Sequence, residues 1–114
     1  MSKNPLELLT TDPLELSMLT TKAKLMIIAT EIIREKGWNQ TEASTHLGIS
    51  QPRVSNLMKS QVHKFSIDGL LEILGKLGYL PDMTFEPDNK LRPIKMELKK
   101  DSAMNAALIK TDIN

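Results

Sequence analysis

Between Gln51 and Lys59 the sequence Gln51-Pro52-Arg53-Val54-Ser55-Asn56-Leu57-Met58-Lys59 sets amide, hydroxyl and cationic side chains around three apolar ones. At about 100° per residue, Val54, Leu57 and Met58 share roughly one third of a helix circumference, and Pro52, Ser55, Asn56 and Lys59 lie opposite. Arg53 flanks that outer face and Gln51 projects from its N-terminal end. These side chains suit the edges of base pairs. Arg pairs with guanine, and Gln or Asn with adenine, through two hydrogen bonds each, while Ser and Lys more often hold phosphate. A solvated surface helix is polar too, but ordinary surfaces mix charge signs, and no carboxylate stands between Gln51 and Gln61. His63 and Lys64 follow in a loop, where a phosphate contact and plain solvation are equally good readings.

Other chemistry finds little support. His46 and His63 are the only histidines, and neither has a second ligand at metal spacing. There is no cysteine, so disulfides, thiolate metal sites and cysteine nucleophiles are excluded. No glycine-rich phosphate loop, nucleophile elbow or histidine–nucleophile pair is present, so neither catalysis nor a cofactor is expected. Trp38, just before the Asn39 cap, reads as a core plug, and His46 as helix surface. Met26 and Met58 fit core faces, and Met83 and Met96 fit strand faces. Lys95, Lys99 and Lys100 read either as a basic patch or as charges that keep a strand edge soluble.

The polar face needs a scaffold that holds it outward. Two short helices crossing steeply require a small residue where they touch, a turn residue tolerant of positive φ, and apolar residues fixing the second helix in place. From Gln40 to Lys59, Ala43 and Ser44 supply the small contacts, Gly48 the turn, and Leu47, Ile49, Val54 and Leu57 the inward face. Helix starts are explicit: Asn39 with Glu42 makes an N-cap and N3 pair, and Ser50 and Ser66 cap the next segments. Ile49 with Val54, and Phe65 with Leu70, are spaced as hydrophobic staples. Helices are predicted at about 40–47, 51–59 and 67–77, the last a core helix of Ile67, Leu70, Leu71, Leu74 and Leu77 that ends at Gly78.

Upstream, Asn4-Pro5-Leu6-Glu7-Leu8 is echoed by Asp12-Pro13-Leu14-Glu15-Leu16, each a helix start. The second leads into a long helix reaching Lys36, with Leu25, Ile28, Ala29 and Ile32 as its core stripe, Thr20-Thr21 as a possible interruption and Gly37 as the stop. Leu19, Met26 and Ile33 form a second apolar set on another face, surplus for a monomer. After Leu80, Met83 to Glu86 suggests a short strand and Pro87-Asp88-Asn89 a turn. Ile94, Met96 and Leu98 then alternate with Lys95, Glu97 and Lys99 at a strand period. Met104, Ala107 and Leu108 sit at helical spacing in a tail expected to fray.

The 114 residues suit one domain with short extensions, and 40% hydrophobic residues with only four aromatics suit a helical core. Net charge is +1 but unevenly spread. From residue 34 to 64, Arg34, Lys36, Arg53, Lys59 and Lys64 stand against Glu35 and Glu42, a net +3. From 65 to 89, Lys76 stands against Asp68, Glu72, Asp82, Glu86 and Asp88, a net −4. The positive stretch coincides with the two-helix motif, where phosphate contacts would need it. No apolar run approaches the roughly 20 residues of a membrane span, and Met1 to Leu16 lacks the features of a signal peptide. A soluble cytoplasmic protein, on the nucleoid when bound to DNA, is expected.

Asn39-Gln40-Thr41-Glu42-Ala43 followed by Leu47-Gly48-Ile49-Ser50-Gln51-Pro52-Arg53-Val54-Ser55-Asn56-Leu57 resembles the Cro/repressor (XRE) helix-turn-helix family. Lys64-Phe65-Ser66-Ile67-Asp68 and Leu70-Leu71 extend the likeness to its HigA-like branch of antitoxins and phage or host regulators. It covers about Asp12 to Phe85. It implies an all-α, lambda-repressor-like bundle of four to five helices, here followed by a short C-terminal β segment and a flexible tail. It also implies a homodimer on a palindromic double-stranded operator and, for antitoxins, a cognate ribonuclease toxin of the RelE/HigB type. The chain divides accordingly into an arm (1–11), the DNA-binding domain (12–80) and an extension (81–114). Candidate DNA contacts are Gln40, Thr41, Ser50, Gln51, Pro52, Arg53, Ser55, Asn56, Lys59, His63 and Lys64. Ser44 stands where many members carry Ala, and the segment after Phe85 is longer than a single short strand.

Overall fold

The computed structural model describes residues 5–101. Asn4 and the Met104, Ala107 and Leu108 series lie outside the described residues. Contacts gather into two units, one extending to Ile73 and one beginning at Leu74. The described chain is mostly helical, with four α-helices and a two-stranded antiparallel sheet.

The first unit opens with a 3-10 turn at Pro5–Leu8 and continues into α1, Pro13–Glu35. Asp12 caps α1 by accepting a hydrogen bond from the Leu14 amide at 3.0 Å, and Pro13 begins it without a donor to satisfy. Thr20-Thr21 does not interrupt it. The Thr21 hydroxyl bonds back to the Ser17 carbonyl at 2.8 Å, so it does not compete for a turn. Then come α2 (Gln40–Leu47), α3 (Gln51–Met58), a 3-10 turn at Val62–Lys64 and α4 (Ile67–Lys76), whose last turn belongs to the second unit. The Asn39 side chain accepts from the Glu42 amide at 2.8 Å, and the Glu42 carboxylate accepts from the Asn39 amide at 3.0 Å, a reciprocal capping box. Ser50 and Ser66 accept from the amides of Arg53 and Gly69, three residues on in each case. Phe65, Leu70 and Val54 are buried and Ile49 is half-buried, as the staple spacing requires.

The core of this unit is Leu25, Met26, Ala29, Ile33, Ala43, Leu47, Val54, Leu57, Phe65, Leu70 and Ile73. Each large member adds about 1.5–3 kcal/mol by leaving water. The inward face of α1 differs from the expected stripe. Met26 and Ile33, expected to be surplus, are buried, whereas Ile28 is 45% exposed and Ile32 is half-buried. Apolar residues at 25, 26, 28, 29, 32 and 33 satisfy two helical faces equally. Small Ala29 lies between Met26 and Ile33 and lets neighbouring elements approach that side, so packing selects it. The exposed apolar residues of α1 are instead Leu14, Met18, Ile27 and Ile28.

In the second unit, Leu74 and Leu77 are buried, and β1 (Tyr79–Phe85) pairs with β2 (Ile94–Lys100) from Tyr79↔Lys100 to Phe85↔Ile94. The strand expected at Met83–Glu86 thus begins earlier and ends one residue sooner. Pro81 disguises its start, yet a two-stranded ribbon has only edge strands, where a missing donor is tolerated. At the turn, the Glu86 amide donates to the Pro93 carbonyl at 2.7 Å and the Arg92 amide to Asn89 Oδ1 at 3.0 Å. At the other end the Asp101 amide donates to the Gly78 carbonyl at 2.8 Å.

Candidate nucleic-acid interface

α2 and α3 pack directly on each other, and α1 touches α3 and the Val62–Lys64 turn. Ala43, without exposure, is the small residue that the crossing needs. Gly48 has φ 65°, a left-handed conformation that glycine adopts without cost, and its amide donates to the Ser44 carbonyl. Ser44 contributes more than size, because its hydroxyl donates to the Ile49 carbonyl across the turn. An alanine there leaves that bond unmade, which gives the serine a structural reason.

Val54 and Leu57 anchor α3 inward with at most 1% exposure. Gln51, Pro52 and Lys59 are exposed, and Ser55 and Asn56 are half-buried on the same side, with Met58 half-buried at its margin. Gln40, Thr41, Ser50, His63 and Lys64 are exposed as well. The Ser50 oxygen already accepts the Arg53 amide at 3.2 Å, which leaves its hydroxyl hydrogen for an outside acceptor.

Arg53 departs from the outward placement expected of it. Its guanidinium carbon lies 4.4 Å from the centre of the Phe65 ring, and the residue is half-buried. A Cβ at Gly69 would stand 3.3 Å from Arg53 Nη2 and 3.2 Å from Ser66 Oγ, so glycine keeps room beside this stack. Arg53 therefore ties the start of α3 to the entry of α4. On the helical wheel Arg53 sits nearer the buried face than Ser55 does, a position from which a long side chain can fold back. Trp38 is likewise not a core plug. Half-buried, it stacks on exposed His46 with ring centres 4.1 Å apart and planes 6° from parallel, and Lys36 Nζ lies 5.3 Å from its ring. The signal was available: eight residues make about two helical turns, so a residue just before α2 shares a side with one in its last turn.

Lys95, Lys99 and Lys100 do not form one basic patch. Lys95 and Lys99 occupy one face of the ribbon, and Lys100, paired with Tyr79, the other. Lys95 Nζ meets Glu97 Oε1 at 2.7 Å and Lys99 Nζ meets Asp82 Oδ2 at 2.7 Å. The hydrogen bond that Lys95 donates to the Glu97 carboxylate holds Lys95 above its ordinary pKa and Glu97 below its own. Asp82 raises Lys99 in the same way. Among the described residues no group of acidic, histidine or cysteine side chains could hold a metal ion, and no helix is long and apolar enough to cross a membrane.

A family model described as a helix-turn-helix domain matches residues 11–85, from the residue before the Asp12 cap to the end of β1. The chain belongs to the helix-turn-helix domain family. No curated protein matches the chain. The match spans α1 to α4, so the crossing helices described above are the motif that names the family: α2 is its first helix and α3 its second. In a helix-turn-helix domain that second helix enters the DNA groove. The family places the protein among DNA-binding regulators.

Proposed function

We propose that this helix-turn-helix protein is a sequence-specific transcriptional regulator of the Cro/repressor type that binds a palindromic operator as a homodimer. The observation that carries the reading is the outer face of α3: amides, hydroxyls and a lysine without a carboxylate, opposite a buried Val54 and Leu57. Gln51 and Asn56 are the base readers, with Ser55 and Pro52 in contact range of the groove floor or wall. Lys59, His63 and Lys64, with Gln40, Thr41 and Ser50 at the starts of the two motif helices, hold phosphates. Arg53 acts from behind, fixing α3 through Phe65. Repression follows from occupancy, since a protein seated in the major groove of a promoter blocks polymerase.

One helix reads too few base pairs for a specific site, so two copies would bind half-sites about one helical turn apart. The likeness of Lys64 to Leu71 to HigA-like proteins favours an autorepressing antitoxin that neutralises a RelE/HigB-type ribonuclease. Footprinting of the DNA upstream of the gene tests the first reading. A protected two-fold site supports it, and no protection at low salt leaves a helical protein-interaction module. Co-purification after expression of the whole locus tests the second. A basic ribonuclease that elutes with the chain supports an antitoxin, and the chain eluting alone supports a stand-alone phage or host regulator.

A further inference from the structure

The register of the ribbon sorts its side chains by chemistry. Directly opposed residues of an antiparallel pair point to the same face, so Pro81 with Leu98, Met83 with Met96 and Phe85 with Ile94 form one face. It carries no charge along these three pairs. The other face holds Asp82 with Glu97 and Thr84 with Lys95, next to Lys99, and its ion pairs are closed within the ribbon. The apolar face is nevertheless open: Met83 is 65%, Phe85 68%, Ile94 62% and Met96 45% exposed.

We propose that this face is the surface on which a second copy of the chain docks, ribbon against ribbon. Three features select that occupant. With Met83, Phe85, Ile94 and Met96 45–68% exposed, the face is an apolar patch on the order of 500 Å², and two such faces meeting bury roughly 1,000 Å², the lower bound for a specific interface. An isologous contact sets a patch against itself, which the three uncharged pairs allow without like-charge opposition, the one charge on this face, Lys100, standing at its far end beside Tyr79. Face-on docking is also favoured over edge-to-edge pairing, because Pro81 removes a donor from the β1 edge. A two-stranded ribbon is marginal alone and gains stability from a layer packed on its apolar side. The proposal rests on the regulator reading only for its use, namely to supply the second recognition helix.

The test is the mass of the full chain in DNA-free solution by light scattering. The wild type is expected at twice 12.8 kDa at tens of micromolar. Met83→Glu and Met96→Lys are each expected at the monomer mass with unchanged helical circular dichroism, and an equimolar mixture of the two is expected to recover the dimer. Thr84→Gln, on the opposite face, is expected to stay dimeric. A monomeric wild type overturns the proposal, as does a Met83→Glu chain that keeps the dimer mass. If either variant loses helical structure, the mixture decides: recovery of a folded dimer supports the interface, and its failure overturns it. Footprinting of the same proteins separates this from the DNA reading. A dimer that protects no DNA defeats the regulator and leaves the interface, whereas a protected site with a monomeric wild type does the reverse.

Discussion

Replacing Arg53 by alanine removes a guanidinium stacked 4.4 Å from the centre of a ring that is only 3% exposed. Cation–π contacts add about 0.5–1 kcal/mol at exposed sites and about 2 when desolvated. A half-buried arginine over a buried phenylalanine belongs between these, and its aliphatic stem adds packing. Arg53→Ala is therefore expected to cost about 1–2 kcal/mol of stability, or ~4–12 °C in Tm for a domain of this size. Urea unfolding of Arg53→Ala, Phe65→Leu and the double variant isolates the pair, with an expected coupling of about 0.5–2 kcal/mol. DNA affinity is expected to fall less than the 1–3 kcal/mol that a bidentate base contact supplies. Coupling near zero together with a loss of affinity as large as that of Asn56→Ala refutes the reasoning and returns Arg53 to the base-reading face.

Ile33→Ala is expected to cost about 2–5 kcal/mol by opening a cavity, while Ile28→Lys stays within about 0.5 kcal/mol; thermal melts of both identify the inward face of α1. Asn39→Ala removes the side-chain acceptor of the Glu42 amide while keeping the backbone amide that donates to the Glu42 carboxylate, and is expected to cost about 1 kcal/mol in urea unfolding. Lys59→Ala and Lys64→Ala are each expected to make the slope of log affinity against log salt shallower by about one unit on specific and non-specific DNA alike, measured by titration across a salt series.

What the sequence made legible is what depends on near neighbours. Asp12, Asn39, Ser50 and Ser66 cap helices through amides two or three residues away, so the starts of α1 to α4 could be read from spacing alone. The turn at Gly48 and the buried Ala43, Leu47, Val54 and Leu57 were legible for the same reason. The inward face of α1 was not, because the apolar residues at 25, 26, 28, 29, 32 and 33 fit two faces, and the choice belongs to the neighbouring elements. Arg53 was placed outward because a helical wheel fixes the Cβ direction, and nothing local says that a long side chain folds back onto Phe65, twelve residues on. Pro81 concealed the start of β1, although the alternation after Pro93 disclosed β2. The alternation of Ile94, Met96 and Leu98 disclosed an apolar side of β2, but that Pro81, Met83 and Phe85 share it became visible only when register joined the two runs.

The proposed role of α3 is to read DNA through its outer face. Selection of bound duplexes from a random pool by the wild-type chain, followed by affinity measurements for Gln51→Ala and Asn56→Ala, tests it most directly. One enriched two-fold sequence with half-sites about one helical turn apart is expected. Each variant, with unchanged Tm, is expected to lose about 1–3 kcal/mol on that sequence and to relax selectivity at one position per half-site. An enriched site that both variants bind as tightly and as selectively as the wild type would contradict that role.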